Sequence, residues 1–242
     1  MYLVFIAMLA MNVSKEVISA FGLMNEKFEA ANTSSVKTNE DLLKTLDLKA
    51  SESKGEFAEA SGIAHKVQAI SKNFYTYIGG LKAQSVKGFE ADPKTGKLPY
   101  ESMDRGDNID DWFTGDGYTK KGNEIIAAIE KYKADMKAAL GSKYADISAE
   151  VSKKFDVSDV SNKEGLKEKY LAYHFKGFPA IATAAKLSAW QNDVQKIEAD
   201  VYNRALGKAA VDEASYSKFE AIVVLDKNAY FQGEKVTGKV VL

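Results

Sequence analysis

Few residues in this chain have the type and spacing that chemistry requires. The sequence contains two histidines, His65 and His174, and no cysteine, which excludes disulfides, thiolate metal sites and cysteine nucleophiles. The two histidines do not form a zinc-spaced motif, so we expect packed or surface roles for them. Phosphate loops, nucleophile elbows and metal-binding helix motifs are absent from the sequence. The sequence therefore predicts a protein that is not an enzyme and uses no cofactor or metal.

Two further segments resemble sites without meeting the requirements of one. The aspartates near residue 110 lack the acid, glycine and distal glutamate spacing of an EF-hand, so we expect turn-forming and helix-capping roles. These aspartates are Asp104, Asp107, Asp110, Asp111 and Asp116. The tripeptide RGD at 105–107 is short enough to occur by chance. The aromatic segment FYTY at 74–77 is compatible with a pocket, but a bundle core or a dimer surface is the simpler interpretation.

The composition is that of a folded protein with an uneven distribution of helix breakers. Apolar residues make up 45% and charged residues 28% of the 242 positions, a balance that excludes wholesale disorder. A formal net charge of −1 provides no general attraction for nucleic acid, so no such partner is expected. All three prolines lie between residues 93 and 179. Long uninterrupted helices are therefore permitted on either side of that window.

The chain opens with an apolar run over residues 1–11. At ~1.5 Å per helical residue this run covers only roughly half of a ~30 Å hydrocarbon core. A signal peptide would need a basic region before the run, and charges at 15–16 interrupt the approach to a cleavage site. The residues alone leave a signal peptide and a membrane helix open. The simplest interpretation is one helix from residue 1 to about residue 30, apolar on all sides at first and on one side later.

Helical periodicity predicts a bundle over residues 22–215. We expect a break at 32–35, a capping start at 38–41, and a long second helix whose weakly apolar middle either runs along the bundle edge or kinks near Gly55. Apolar positions at three- and four-residue steps then define the bundle interior. The residues assigned to this core are Phe74, Trp190, Val194 and Ile197.

Between the long helices, the pattern becomes irregular. Residues 86–119 lose helical periodicity but retain aromatics, which indicates a packed insertion rather than disorder. A helix is then expected to end at Gly141, and Ser161 with Glu164 is expected to cap another. Pro179 opens the most regular helix in the chain.

At Tyr216 the period of apolar residues changes to two. This alternation predicts strands within 216–242, separated by turns at 226–228 and 233–234. Two or three strands do not bury a sheet by themselves. We therefore expect 216–242 to be the first strands of a truncated β-sandwich domain.

Three segments carry a resemblance to a known family. They are MYLVFIAMLAMNVSKEVISAFGLMNEKFE at the start of the chain, RGDNIDDWFTGDGYTKKG from Arg105, and YFQGE from Tyr230. Together these segments closely resemble the gliding motility protein GldM family, called PorM in non-gliding relatives. The resemblance extends over essentially the whole chain, and its first segment is the most specific.

The resemblance implies a mainly α protein with a single transmembrane helix, a periplasmic helical bundle and the start of an immunoglobulin-like β domain. The transmembrane helix would take up residues 1–21, with the first part of the span missing. It implies an inner-membrane location with a cytoplasmic N-terminus. Implied partners are a second copy of the chain, a ring of probably five GldL subunits, the lipid bilayer, and the GldK–GldN outer-membrane complex through domains beyond residue 242. The implied function is transmission of rotation in the proton-motive-force-driven motor of type IX secretion and gliding motility.

The membrane segment itself contains no side chain that could carry a proton. Residues 1–14 include no Asp, Glu, His, Lys or Arg, so the titrating group must come from a partner or from a preceding segment. We expect helix packing at Ala7 and Ala10. Expected contacts with GldL, including a buried contact of Tyr2 with a GldL carboxylate, lie at Tyr2, Phe5, Leu9 and Asn12. For Tyr2 an interfacial aromatic belt remains the alternative.

One alternative function stays open. A single-pass membrane receptor could use the same periplasmic helical bundle to sense a small ligand. A pocket around residues 74–77 would be the signature of such a receptor.

Overall fold

The computed structural model describes residues 15–52, 55–161, 165–215, 222–225 and 238–241. The fold is mainly helical, as the periodicity predicts. Its helices are α1 (Lys15–Glu52), α2 (Glu56–Ser85), α3 (Lys120–Leu140), α4 (Ala145–Lys154), α5 (Tyr170–Phe175) and α6 (Ala180–Ser215). Three short antiparallel strand pairs accompany them: β1–β2 (Phe113–Thr114 with Gly117–Tyr118), β3–β4 (Val160–Ser161 with Lys167–Glu168) and β5–β6 (Ile222–Leu225 with Gly238–Val241).

Helices α1 and α6 lie side by side and run in the same direction. Asn32 of α1 bonds to Ser188 of α6, and Asn39 bonds to Gln195 further along both helices. Because residue numbers rise in the same direction along both helices, the two helices are parallel. The C-terminal end of α6 therefore lies at the opposite end of the bundle from the start of α1.

Helix α2 runs antiparallel to α1. Lys82 near its end pairs with Glu29 of α1 at 3.0 Å, whereas Ser61 near its start donates to Asp47 at 2.6 Å. The chain reverses direction at Gly55, whose backbone φ of +150° is rarely adopted by residues other than glycine. The kink expected near Gly55 is therefore a complete change of direction.

The predicted break at 32–35 and the capping start at 38–41 are wrong, because α1 continues through both. The hydroxyls of Thr33 and Thr38 donate to the carbonyls of Glu29 and Ser34 one turn earlier, which is compatible with a continuous helix. Asn32 is 2% exposed and bonds to α6. The polar residues that resemble a helix break belong instead to a helix–helix interface.

The irregular insertion packs as expected. Trp112 is fully buried, Phe113 and Tyr118 contact the main core, and Phe89 and Tyr100 contact a second core. The segment contains short 3-10 helices at Tyr100–Ser102 and Asp107–Trp112. Its aromatics therefore attach the insertion to the bundle.

The second core brings the start of α1 into the bundle. Ile18 is 1% exposed and packs with Met103 and Ile181, and Phe21 lies against the same cluster. Residues 15–21 were assigned to the membrane segment from the sequence. One face of this stretch packs against the second core while Val17 is 46% exposed, and the boundary at residue 21 stays a prediction.

The last helix begins after Pro179, as predicted, and ends at Ser215. Ser161 pairs with Lys167 in β3–β4, so the capping box expected at Ser161 is wrong. In the hairpin β5–β6, Ile222 is opposite Val241. The turns expected at 226–228 and 233–234 lie outside the described residues.

Within the part of the chain that the structure describes, no helix has the length and apolarity needed to cross a bilayer.

Candidate functional site

The inner face of α1 carries an unusual seven-residue repeat. A spacing of seven returns to nearly the same face of a helix after two turns. The three central positions of the repeat are asparagines, although a helix core normally selects apolar residues. The repeat consists of Ile18, Asn25, Asn32, Asn39 and Leu46, each 3% exposed or less.

Each asparagine of the repeat is paired with α6. The Ser188 hydroxyl donates to Asn25 Oδ1 at 2.8 Å. Asn32 Nδ2 donates to the Ser188 carbonyl at 3.0 Å, and Asn192 Nδ2 donates to Asn32 Oδ1 at 3.0 Å. Asn32 therefore uses both its donor and its acceptor across the interface.

The third asparagine makes a double contact. Asn39 Nδ2 donates to the carbonyl of Gln195 at 2.9 Å and to Gln195 Oε1 at 3.0 Å. Its own Oδ1 is buried and has no partner among the described residues. We call the set of Asn25, Asn32, Asn39, Ser188, Asn192 and Gln195 the polar ladder.

The polar ladder fixes how far α1 is displaced along α6. All six side chains are 5% exposed or less. Water therefore cannot easily take the place of a hydrogen bond that is lost. A buried amide or carbonyl without a partner costs about 1–3 kcal/mol. Sliding one helix past the other would break several bonds together, and buried asparagines are known to fix register in helix pairs in this way. The ladder therefore resists axial slip.

The opposite side of α6 is apolar. Val194 and Ile197, both assigned to the core from sequence, are fully buried. Trp190 is partly buried against the same cluster and lies edge-on to Phe175, with ring centroids 5.3 Å apart.

Phe74 lies in an aromatic group on this apolar side. Its ring stacks on Tyr132 at 4.4 Å and meets Phe155 edge-on at 5.5 Å. Phe74 itself is 5% exposed. The four residues assigned to the core thus lie on the side of the bundle that packs through apolar contacts.

One buried acid lies next to the polar ladder. Glu198, on α6, is 6% exposed and accepts a hydrogen bond from the Tyr202 hydroxyl at 2.7 Å. Burial raises the pKa of Glu198 to about 7, although the bond from Tyr202 partly opposes this shift. Burial and the neighbouring Glu198 also raise the pKa of Tyr202. Sequence reasoning did not single out this acid.

The insertion is hydrogen-bonded to the N-terminal part of α1. The Tyr100 hydroxyl donates to Glu26 at 2.6 Å, and this bond, together with Lys97, lowers the pKa of Glu26. A Cβ at Gly22 would overlap the Tyr100 ring. Glycine is therefore required where the ring lies against the helix backbone.

The other candidate residues have structural roles. His65 lies 3.0 Å from Asp47 on the surface, and His174 packs between Tyr170 and Tyr173. Burial lowers the pKa of His174. Within the described ranges, no group of three His, Cys, Asp or Glu residues is placed to hold a metal.

The acidic insertion is also tied to its neighbours. Asp111 accepts from Gln84 at 2.9 Å and pairs with Lys121 at 3.1 Å. The carbonyl of Arg105, in the RGD tripeptide, accepts from the backbone of Ala180 at 2.8 Å. This tripeptide therefore joins the insertion to the start of α6.

The expected membrane contacts lie outside the described residues. They are Tyr2, Phe5, Ala7, Ala10, Leu9 and Asn12.

The polar ladder is the structural feature that sequence reasoning missed. Its signal is visible in the sequence as three asparagines at intervals of seven, Asn25, Asn32 and Asn39. Asn32 was instead interpreted as part of a helix break, and Asn39 as part of a capping start.

Comparison with known proteins identifies this bundle. The family model for the GldM N-terminal domain matches residues 16–208, which include the polar ladder and most of the six helices. Comparison with curated proteins finds no match. Because the family model covers more than half of the chain, the chain belongs to the GldM family.

Proposed function

We propose that this protein is the inner-membrane subunit of the proton-motive-force-driven rotary motor that powers type IX protein secretion and gliding motility. Membership of the GldM family supports a role as a component of gliding and type IX secretion. The finer proposal is that the bundle transmits rotation across the periplasm. This is a mechanical role, without catalysis and without a cofactor.

The observation that carries the proposal is the parallel, bonded pairing of α1 with α6. Rotation entering at the start of α1 would pass to α6 through the polar ladder and leave at the far end of the bundle. Helix α6 has 36 residues, or about 54 Å of length. Buried hydrogen bonds transmit such a displacement better than a flexible linker, which would absorb it as loop motion.

The proposed partners follow from the family. A second copy of the chain, a GldL membrane ring of probably five copies, the lipid bilayer and the GldK–GldN outer-membrane complex would surround the two ends. Leu23 and Met24 on the outer side of α1 are 59% and 43% exposed, which supports a helix partner along this stretch. The proton-carrying group is proposed to belong to a partner or to a preceding segment.

Uncoupling α1 from the preceding residues tests the proposal. A flexible Gly/Ser insert of about ten residues between Ser14 and Lys15 leaves the described helices intact but lets them swivel. We expect secretion of type IX substrates and gliding speed to fall to background, while GldL still co-purifies with the variant.

The matched control places the same insert between Thr95 and Gly96, in an exposed turn of the insertion. This variant should secrete and glide normally, because the turn is not in the proposed path of rotation. Normal secretion by the Ser14–Lys15 variant would contradict the proposal that the bundle transmits rotation.

A second candidate function is the single-pass receptor. A cavity of about 270 Å³ lined in part by Phe74 and Tyr77 lies at the surface of α2 and α3, which is the location expected for a sensor pocket. A receptor would change its output with ligand concentration, whereas the proposed shaft would not. Secretion measured in cells at varied ligand supply separates the two.

A further inference from the structure

A second cavity of about 270 Å³ opens where α1, α2 and α6 meet beside the polar ladder. Its floor is formed by Gln195 and Glu198 of α6, which are 5% and 6% exposed. Buried polar side chains are expensive unless their polar atoms find partners. Two such side chains at one cavity floor therefore require an explanation.

Each floor side chain has one satisfied atom and one without a partner. Gln195 Oε1 accepts from Asn39, and Glu198 Oε1 accepts from the Tyr202 hydroxyl. The Gln195 Nε2 donor and the Glu198 Oε2 acceptor have no hydrogen-bond partner in the described part of the chain, and neither atom is fully enclosed. The floor thus offers one donor and one acceptor to a guest molecule.

The rim adds charge of both signs. Lys72 of α2 lines the cavity, is exposed and makes no ion pair with a described residue. Glu40 of α1 lies on the other side and is likewise unpaired among those residues. Apolar surface comes from Val36 and Tyr75 on the same walls. A cavity with a positive and a negative side chain at its rim and a small apolar wall suits a molecule that carries both a negative and a positive charge.

We infer that this cavity binds a small zwitterion of the α-amino acid type. The ammonium group of the ligand would be held by Glu198, with Glu40 nearby, and its carboxylate by Lys72 and the Gln195 amide. A volume of about 270 Å³ equals roughly nine water molecules at ~30 Å³ each, which limits the guest to a small molecule. The inference does not depend on the proposed function, because a bundle that acts as a shaft or as a receptor could contain the site.

Binding should release a proton at neutral pH. Glu198 is bonded to Tyr202 on its own helix, its charge acts on Tyr132 of α3, and the charged groups that line the same cavity are Lys72 on α2 and Glu40 on α1. Because burial raises the pKa of Glu198 to about 7, a large fraction of this carboxyl is protonated in the free protein. An ammonium ion placed against it favours the charged form.

Titration calorimetry of the purified full chain tests the inference, with each common α-amino acid as the probe. We expect at least one small amino acid to bind with one-to-one stoichiometry, with a heat that depends on the ionisation enthalpy of the buffer. Glu198→Gln and Lys72→Met should each weaken that binding by about tenfold or more. Lys66→Met, an exposed lysine on α2 that does not line the cavity, is the matched control and should bind as the parent chain does.

Methylamine and acetate separate the two charges of the ligand. Each should bind at least about tenfold more weakly than the amino acid, because it satisfies only one end of the site. The inference is overturned if no amino acid binds at concentrations up to about 10 mM, if methylamine or acetate binds as tightly, or if Lys72→Met binds like Lys66→Met. Lys72 is exposed, so its variant decides the matter even if Glu198→Gln does not fold.

Discussion

The two sides of helix α6 hold the bundle together in different ways. Away from α1 the helix presents buried apolar residues such as Val194 and Ile197, and towards α1 it presents Ser188, Asn192 and Gln195. Apolar contact has no preferred direction and is roughly proportional to area. Amide hydrogen bonds are directional and are expensive to leave unmade. The apolar side therefore supplies most of the stability, and the polar side fixes position.

The polar side gives up stability to gain this specificity. Replacing buried polar groups with packed apolar ones is often neutral or stabilising, and Asn39 Oδ1 remains without a partner among the described residues. A protein that needed only a stable bundle would gain by having leucines at these positions. A protein that must carry displacement along two helices gains by keeping them in one register.

The largest expected effect tests the apolar side. Phe74→Ala removes a ring that stacks on Tyr132 and meets Phe155, and such a truncation in a packed core costs about 3–5 kcal/mol. Urea unfolding followed by circular dichroism should show this loss as a lower midpoint. The spacing between α1 and α6 should not change.

Leu48→Ala is the control for this prediction. Leu48 is 64% exposed on α1, so its truncation should change the free energy of unfolding by less than about 0.5 kcal/mol. Equal losses for both variants would mean that the aromatic group does not supply the stability assigned to it.

The apolar side could be predicted from the sequence, but the polar side could not. Val194 and Ile197 recur at helical spacing, and this pattern is the same whichever helix covers them. Asn32 and its neighbours belong to residue types that also favour turns and caps. Only the presence of α6 alongside makes them interface residues, and that pairing joins positions more than 150 apart in the chain.

The burial of Glu198 was also beyond sequence reasoning. A glutamate on a regular helix is normally at the surface. Here Glu198 is 6% exposed and lines a cavity together with residues of α1 and α2. The same cavity brings together Lys72, Gln195 and Glu198 from positions that share no motif.

The next largest effect is the pH dependence of stability that Glu198 causes, at the boundary between the two sides of α6. Glu198 has a pKa of about 7 in the folded state, against 4.5 for the ordinary side chain. The folded chain therefore holds this proton more tightly than the unfolded chain. The resulting stability is fully present below about pH 4.5 and is lost as the pH rises through about 7, by roughly 3 kcal/mol in total.

Glu198→Gln isolates this contribution from the other carboxylates. The free energy of unfolding of the parent chain minus that of the variant should fall between about pH 4 and pH 8 and be level above that range. Asp146→Asn is the control with the opposite sign, because the bond from Arg204 lowers the pKa of Asp146. A constant difference between the parent chain and Glu198→Gln would show that the acid is solvated.

The substitution with the smallest expected effect on stability is the most direct test of the difference between the polar and apolar sides of α6. Asn32→Leu leaves Asn192 and the Ser188 carbonyl without partners and should cost about 1–3 kcal/mol. The double variant Asn32→Leu/Asn192→Leu also removes the amide that Asn32→Leu leaves without a partner, and should recover part of that loss. Stability would then be partly restored without the bonds that Asn32 makes to α6.

The register itself is measurable because the chain has no cysteine of its own. Spin labels at Ser34→Cys on α1 and Lys196→Cys on α6, both exposed, should report one narrow distance in the parent chain. In the double leucine variant a second population should appear, displaced along the axis by about one helical turn, ~5.4 Å. Val194→Ala, which weakens only the apolar side, should lower stability and leave the distance narrow. If the double leucine variant also keeps one narrow distance, the bonds of Asn32 do not fix the register, and the role assigned to this part of the polar ladder is wrong.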